Sequence, residues 1–144
     1  MQTIKLQNNK IKYNGENENI LIENNTLTIK EKTNENQPFI IKVDDIKNNE
    51  FVIKDNSSLK FIIELSDLKS KKNEYNFNIN IGKNTNVEYL ILSELSSEEA
   101  ILNQNFNVDK DSTLKLLSGY INSNIKSNNL IKLVGENSTA QVNG

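Results

Sequence analysis

The side chains of this chain best suited to chemistry are its carboxylates. Asp44-Asp45 and Glu98-Glu99 are adjacent acidic pairs, and Asp109 and Asp111 lie two positions apart. Paired carboxylates bind hard cations such as calcium, or divide the acid and nucleophile roles in glycoside cleavage. Both uses require the two groups to converge. Neighbours in a strand point to opposite faces, so neither adjacent pair converges as a side-chain site, and both read as solvated loop charges. Asp109 and Asp111 can share a face, but they belong to a recurring turn that accounts for them without a ligand. Other reactive groups are missing: the sequence has no Cys and no His. That removes thiolate nucleophiles, imidazole bases, disulfides and zinc sites of the Cys/His type. No residue is therefore assigned a catalytic, cofactor-binding or metal-ligating role, and the chain is expected not to be an enzyme.

Charge gives little direction. The 17 basic residues, all lysine, stand against 19 acidic ones for a net charge of -2. Without arginine the chain lacks the usual bidentate contact to phosphate and guanine, so no nucleic-acid partner is expected. Lys69-Ser70-Lys71-Lys72 is a short basic cluster, below the four to eight basic residues that attract a membrane surface. No apolar run approaches the roughly 20 residues that span a bilayer. Met1-Gln2-Thr3-Ile4-Lys5-Leu6 lacks the apolar stretch of a secretory signal, and a soluble, cytoplasmic protein is expected. Three Asn-x-Ser/Thr matches, at Asn24, Asn56 and Asn137, are put down to the abundance of asparagine.

The elements that would position any of these groups are strands. Apolar residues fall in short alternating or continuous runs, such as Phe39-Ile40-Ile41-Lys42-Val43, Leu59–Leu65 and Tyr75–Ile81. β-Branched and aromatic side chains dominate them and suit a pleated, half-buried surface. Tyr75, Tyr89 and Tyr120 lie in such runs and read as packing residues. Pro38 precedes a run, where its missing N–H does least harm. Asn14-Gly15 is a hairpin-type turn signal. Ser96-Ser97-Glu98-Glu99 has capping-box spacing, but the run after it is too short for a helix, and a loop is expected.

A repeat organises the runs. Ile53-Lys54-Asp55-Asn56-Ser57-Ser58-Leu59 aligns with Ile81–Val87, Val108–Leu114 and Val134–Ala140. Each copy has an aliphatic residue, two polar or Gly positions, Asn or Asp, a hydroxyl residue, a small polar residue and an apolar one. A weaker copy is read at Ile22–Leu27. Asn and Asp tolerate left-handed backbone angles and bond nearby backbone groups, so the unit describes a strand, a corner and a new strand. Recurrence every 26–28 residues predicts an all-β fold: a right-handed parallel β-helix whose coils stack the corners in a ladder over a shared apolar core. An antiparallel β-sandwich is the alternative, but it gives no reason for one turn signature to recur at near-constant spacing. One domain over 1–144 is expected, less regular over 1–50 and coiled over 51–144.

The stretch from Tyr75 to Gly144 resembles the core of the SufB/SufD family, the scaffolds of SUF-type iron–sulfur cluster assembly. Asn80–Tyr89 is similar to the family's "V-G-x-N-A-x-V" corner, Leu92–Ala100 to its acidic, serine-rich connection, and Leu133–Gly144 to its closing "L-x-G-E-x-A-x-x-x-x-x-G". Ser127-Asn128 departs from the Ser-Arg common there. The resemblance implies a right-handed parallel β-helix and a non-catalytic, SufD-like scaffold role. It implies a homologous SufB/SufD-type subunit and a SufC-type ATPase as partners, with an iron–sulfur cluster only in the assembled complex. The family's cluster-linked Cys and His and its ATPase-docking helices lie beyond the segment matching Gly144, so no functional residue carries over. The last coil would present an open strand edge, and the chain is expected to continue in a longer protein or to join another chain there. The rival reading from another class is a β-solenoid that binds carbohydrate, or a surface or phage structural protein.

Overall fold

The computed structural model describes residues 2–7, 10–43, 48–66, 72–94, 99–121 and 124–143. The strands are β1 (Gln2–Gln7), β2 (Lys10–Lys12), β3 (Ile20–Glu23), β4 (Thr26–Ile29), β5 (Phe39–Val43), β6 (Asn48–Ile53) and β7 (Ser58–Ser66). They continue as β8 (Lys72–Ile81), β9 (Asn86–Glu94), β10 (Glu99–Val108), β11 (Thr113–Ile121), β12 (Asn124–Leu133) and β13 (Thr139–Asn143). From β4 onward, even- and odd-numbered strands separate into two sheets, the even- and the odd-numbered sheet; β2 belongs to the odd-numbered sheet and β3 to the even-numbered one. One has the order β13-β11-β9-β7-β5-β1-β2, the other β12-β10-β8-β6-β4-β3. Among the strands from β4 to β13 every pairing is parallel and joins strands of successive coils. The chain is thus an all-β solenoid of about four turns.

Alternation explains how each coil closes. In β8, Tyr75, Phe77, Ile79 and Ile81 are buried while Glu74, Asn76 and Asn78 face solvent. Facing sheets pile such residues between them. Phe61 lies 5.7 Å from Phe39 and 6.0 Å from Phe51, ring centre to centre, and Tyr89 meets Phe106 edge-on at 5.1 Å. No coil could bury this surface alone, which makes the stack cooperative.

The corners stand where the repeat places them. Asn56, Asn84, Asp111 and Asn137 all have positive φ, between 52° and 62°. Strand register puts Ser58, Asn86, Thr113 and Thr139 side by side, so coil lengths are 28, 27 and 26 residues. A fifth corner residue, Lys32 (φ 60°), heads the series, and Asn34 bridges to Ser58. Glycine has a distinct use beside these corners. A Cβ on Gly82 would sit 2.9 Å from the Ile53 carbonyl oxygen, so its absence lets adjacent coils close up.

Two readings of the N-terminal part are corrected. Ile22–Leu27 is not a coil corner: β3 and β4 pair antiparallel, with Asn24 (φ 54°) in the tight turn between them. The true first corner is Ile29-Lys30-Glu31-Lys32-Thr33, obscured in sequence because Lys occupies the Asn position. Asn14-Gly15 is not a hairpin turn, because it follows β2, whose antiparallel partner β1 lies before it. Both hairpins lie at the N-terminal end, where β2 and β3 form the outermost strands of the two sheets. Tyr13 ties this end down, donating to Gln2 Oε1 and accepting from the Asn17 N–H at 3.1 Å.

Candidate functional site

Among the described residues no acidic centre assembles: no group of three or more Asp and Glu gathers to hold a metal. Asp44-Asp45, Ser96–Glu98 and Lys69–Lys71 lie outside the described residues. Glu99 and Lys72 open strands β10 and β8, but their side chains are outside the description. The segment Ala100–Leu102 is strand rather than helix. Asp109 and Asp111 serve the corner. Asp109 Oδ1 accepts from the Lys110 N–H at 2.7 Å, and Asp111 Oδ1 accepts from Asn137 Nδ2 at 3.2 Å. Tyr75 and Tyr89 are core residues. Tyr89 donates to Gln104 Oε1 at 2.5 Å, and burial pushes its phenol well above the ordinary range. The Tyr120 side chain lies outside the described residues.

The corner supports two parallel ladders. The outer one joins amides, with Asn84 Nδ2 donating to Asn56 Oδ1 at 2.9 Å. The inner one joins buried hydroxyls. Thr33, Ser57, Thr85 and Ser112 are each at most 2 % exposed. The N–H of Thr33 donates to Ser57 Oγ at 3.1 Å, that of Ser57 to Thr85 Oγ1 at 3.3 Å, and that of Thr85 to Ser112 Oγ at 2.9 Å. Each hydroxyl in turn donates to carbonyls, as Thr85 does to Lys83 at 3.0 Å. A buried backbone group left unpaired costs free energy, so a hydroxyl at this position is what lets the chain turn inside the stack.

The outer faces of the two sheets differ in kind. On the even-numbered sheet Asn48, Asn76, Asn103 and Asn128 lie in register, each donating its amide to the one before at 2.9–3.2 Å. Asn107 and Asn80 form a second such rung at 2.8 Å. These amides satisfy one another and two neighbouring carboxylates, Asn80 donating to Glu50 Oε1 at 2.9 Å and Asn103 to Glu74 Oε1 at 3.1 Å.

The odd-numbered sheet carries an aliphatic row. Ile40, Ile62, Leu90 and Leu117 are in register across β5, β7, β9 and β11, half-buried on the outer face. Beside them runs a second row, Lys60, Glu88, Lys115 and Gln141, in which Lys60 and Glu88 approach to 3.6 Å. Beyond that lies a third row of Ser58, Asn86, Thr113 and Thr139. The first coil overhangs this face. Asn34 pairs with Ser58 and Phe39 with Phe61, so the first coil spends two more residues on that stretch than the next coil does. This longer stretch, Glu35 to Pro38, forms a ledge. Below it a trough of about 560 Å³ runs along the solenoid axis over the second and third rows. A smaller hollow of about 240 Å³ lies against Pro38, Ile62, Leu90 and Leu117. The aliphatic row had a sequence signal that the repeat reading passed over. In Phe39-Ile40-Ile41, Phe61-Ile62-Ile63 and Tyr89-Leu90-Ile91 the alternation breaks, with an apolar residue in each outward position.

The C-terminal coil leaves aliphatic side chains uncovered, at the core-facing positions Leu133 and Val142 and at the outward position Leu130. Leu130, Leu133, Val134 and Val142 are each at least 51 % exposed, and β13 and β12 are the last strands of their sheets. Comparison with protein-family models, curated proteins and solved structures finds no match to the chain.

Proposed function

We propose that this chain is a non-catalytic, SufD-like scaffold subunit, or part of one, in cytoplasmic iron–sulfur cluster assembly. What supports the reading most is the position of the residues that carry the SufB/SufD resemblance. Ile81–Tyr89 and Leu133–Asn143 form equivalent corner-and-strand segments, with Asn84 and Asn137 both at positive φ. The two motifs therefore lie at equivalent corners of one solenoid, two coils apart. A scaffold role also suits the chemistry present. The sequence supplies neither thiolate nor imidazole to a cluster, so the chain contributes stiffness and interface area. No helix of the described residues is long and apolar enough to cross a membrane.

The partner surface in this reading is the C-terminal coil. The outer edges of β12 and β13 offer backbone N–H and C=O groups to another strand, and the exposed aliphatic side chains beside them need cover. A homologous scaffold subunit meets both needs. The test is co-expression with a SufB-type scaffold and a SufC-type ATPase, followed by light scattering on the purified mixture. A stable heteromer that Val142→Lys and Leu130→Lys disrupt is the expected outcome. A chain that stays alone with both partners, or that instead retains oligosaccharides, would overturn it.

A further inference from the structure

The molecule contains its own control for what an exposed sheet face looks like. On the even-numbered sheet the exposed aliphatics stand apart, Ile101 between Glu74 and Lys126 and Leu130 beside Asn105, whereas the odd-numbered sheet has an aliphatic side chain in the same outward position four times running. Isolated surface aliphatics are ordinary, but a contiguous row is not. Leu92 on β9, 39 % exposed, widens it. Parallel sheets in general have such faces covered, and the element that covers them is a helix.

We infer that the outer face of the odd-numbered sheet is a docking site for an amphipathic helix of a partner protein, laid along the solenoid axis. The dimensions fit. Strands repeat at about 4.8 Å, so Ile40 to Leu117 spans about 14 Å, close to ten residues of helix at 1.5 Å each. One helical turn rises about 5.4 Å, which brings one aliphatic residue per turn into step with one coil. Rows on the face lie two residues apart, about 6.7 Å. The three rows beginning at Ser58, Lys60 and Ile62 therefore span about 13 Å, against a helix diameter of about 10–12 Å. The ledge at Glu35–Pro38 marks one end of the seat.

Charge specifies the helix further. Lys60, Glu88 and Lys115 alternate in sign from coil to coil beside the aliphatic row. A helix carrying Glu, Lys and Glu on successive turns beside its apolar stripe would face each with its opposite. The reversed pattern would face each with its like. A helix on this face is independent of any subunit at the β13 edge, and either can be lost without the other.

The probes are two synthetic 14-residue helical peptides with Leu at every third or fourth position. One carries Glu-Lys-Glu along the flank, the other Lys-Glu-Lys. Binding to the whole chain is followed by amide shifts and by fluorescence anisotropy. The Glu-Lys-Glu peptide is expected to bind at least fivefold more tightly, moving amides of β7, β9 and β11. Leu90→Asp, or Leu117→Asn if the first variant melts early, should weaken it at least tenfold. Lys60→Glu with Lys115→Glu should reverse the preference between the peptides. Equal binding of both peptides, indifference to Leu90 and Leu117, or shifts confined to β13 or the asparagine face would overturn the assignment. Self-association through the same residues, seen as concentration-dependent shifts without peptide, would assign the face to a second copy instead.

Discussion

Ser112→Ala tests the inner ladder most directly. Ser112 is fully buried at the corner between β10 and β11, and its Oγ accepts from the Thr85 N–H at 2.9 Å. The same hydroxyl donates to the carbonyl of Gly82, in the preceding coil, and to that of Lys110 at 3.3 Å. Alanine fits the space and keeps helix or strand propensity out of the question, but it strands the Thr85 donor inside the stack. A buried unpaired donor costs about 1–3 kcal/mol. With unfolding entropy near 2.1 cal/mol/K per residue, 144 residues give about 0.3 kcal/mol/K, so a 2 kcal/mol loss lowers Tm by roughly 7 °C. Ser112→Thr keeps the hydroxyl, as the ladder itself does at Thr33 and Thr85, and should stay within about 2 °C of the parent on the same scale. Thermal melts supply the global reading. Because a solenoid can open one coil at a time, amide exchange supplies the local one. The Thr85 amide should lose protection in Ser112→Ala while amides at the centres of β7 and β8 keep theirs. Unchanged Thr85 exchange, with a melting point equal to the parent's, would show that the hydroxyl ladder does not hold the corners.

Lys32 occupies the left-handed region at φ 60°, where a long side chain costs roughly 1 kcal/mol more than Asn or Gly. Lys32→Asn is therefore expected to raise the melting point by a few degrees, with the Asn56 amide, the nearest rung, available to extend the outer ladder. A lower melting point would contradict this. Phe61 packs against Phe39, Phe51 and Tyr89 at 5.7–6.3 Å, so Phe61→Ala should cost about 3–5 kcal/mol and be visible in chemical denaturation. Tyr89 gives a pH signature. Its folded-state pKa is raised by desolvation, so its contribution to stability is complete below the unfolded value near 10 and is lost as pH rises from there towards the folded value. Spectrophotometric titration should show Tyr89 ionising only together with alkaline unfolding. Ionisation near pH 10 with native circular dichroism retained would refute that.

The coils were legible because their rule is local and repeated. An aliphatic residue, an Asn or Asp able to hold positive φ, and a hydroxyl that turns inward are three demands of one corner, and all four copies from Ile53 onward meet them. Where one demand is met by an unexpected residue, legibility fails. Lys32 hid the first corner, and Asn24-Asn25-Thr26 imitated one because a tight hairpin also needs positive φ. Asn14-Gly15 misled for a related reason: the dipeptide reports a willingness to turn, not which strands flank the turn. The surfaces were less legible than the core. Whether an outward aliphatic residue stands alone or in a row depends on register between coils, and register is set by coil lengths of 28, 27 and 26 residues. Ile62, Leu90 and Leu117 are spaced 28 and 27 apart, so the row is readable only after the corners have been aligned.

Asparagine, 27 of 144 residues, shows how composition and structure come apart. Taken as a percentage it suggests a polar chain too poor in apolar side chains to fold. Taken by position it does at least two different jobs. At the corners it supplies a backbone conformation that other residues adopt only at a cost, and its amide joins the coil above to the coil below. On the outward face of the even-numbered sheet it satisfies itself rung by rung, which gives a parallel sheet a finished surface without a covering layer. Lysine can take the corner, as Lys32 does at φ 60°, but only at a cost in backbone energy and without the short amide that forms the ladder. The odd-numbered sheet has no such finish. With the same corners and the same coil lengths available, one of its outward rows carries isoleucine and leucine in four successive coils where amides would have served. That choice is what separates a face that needs only water from one that needs a partner.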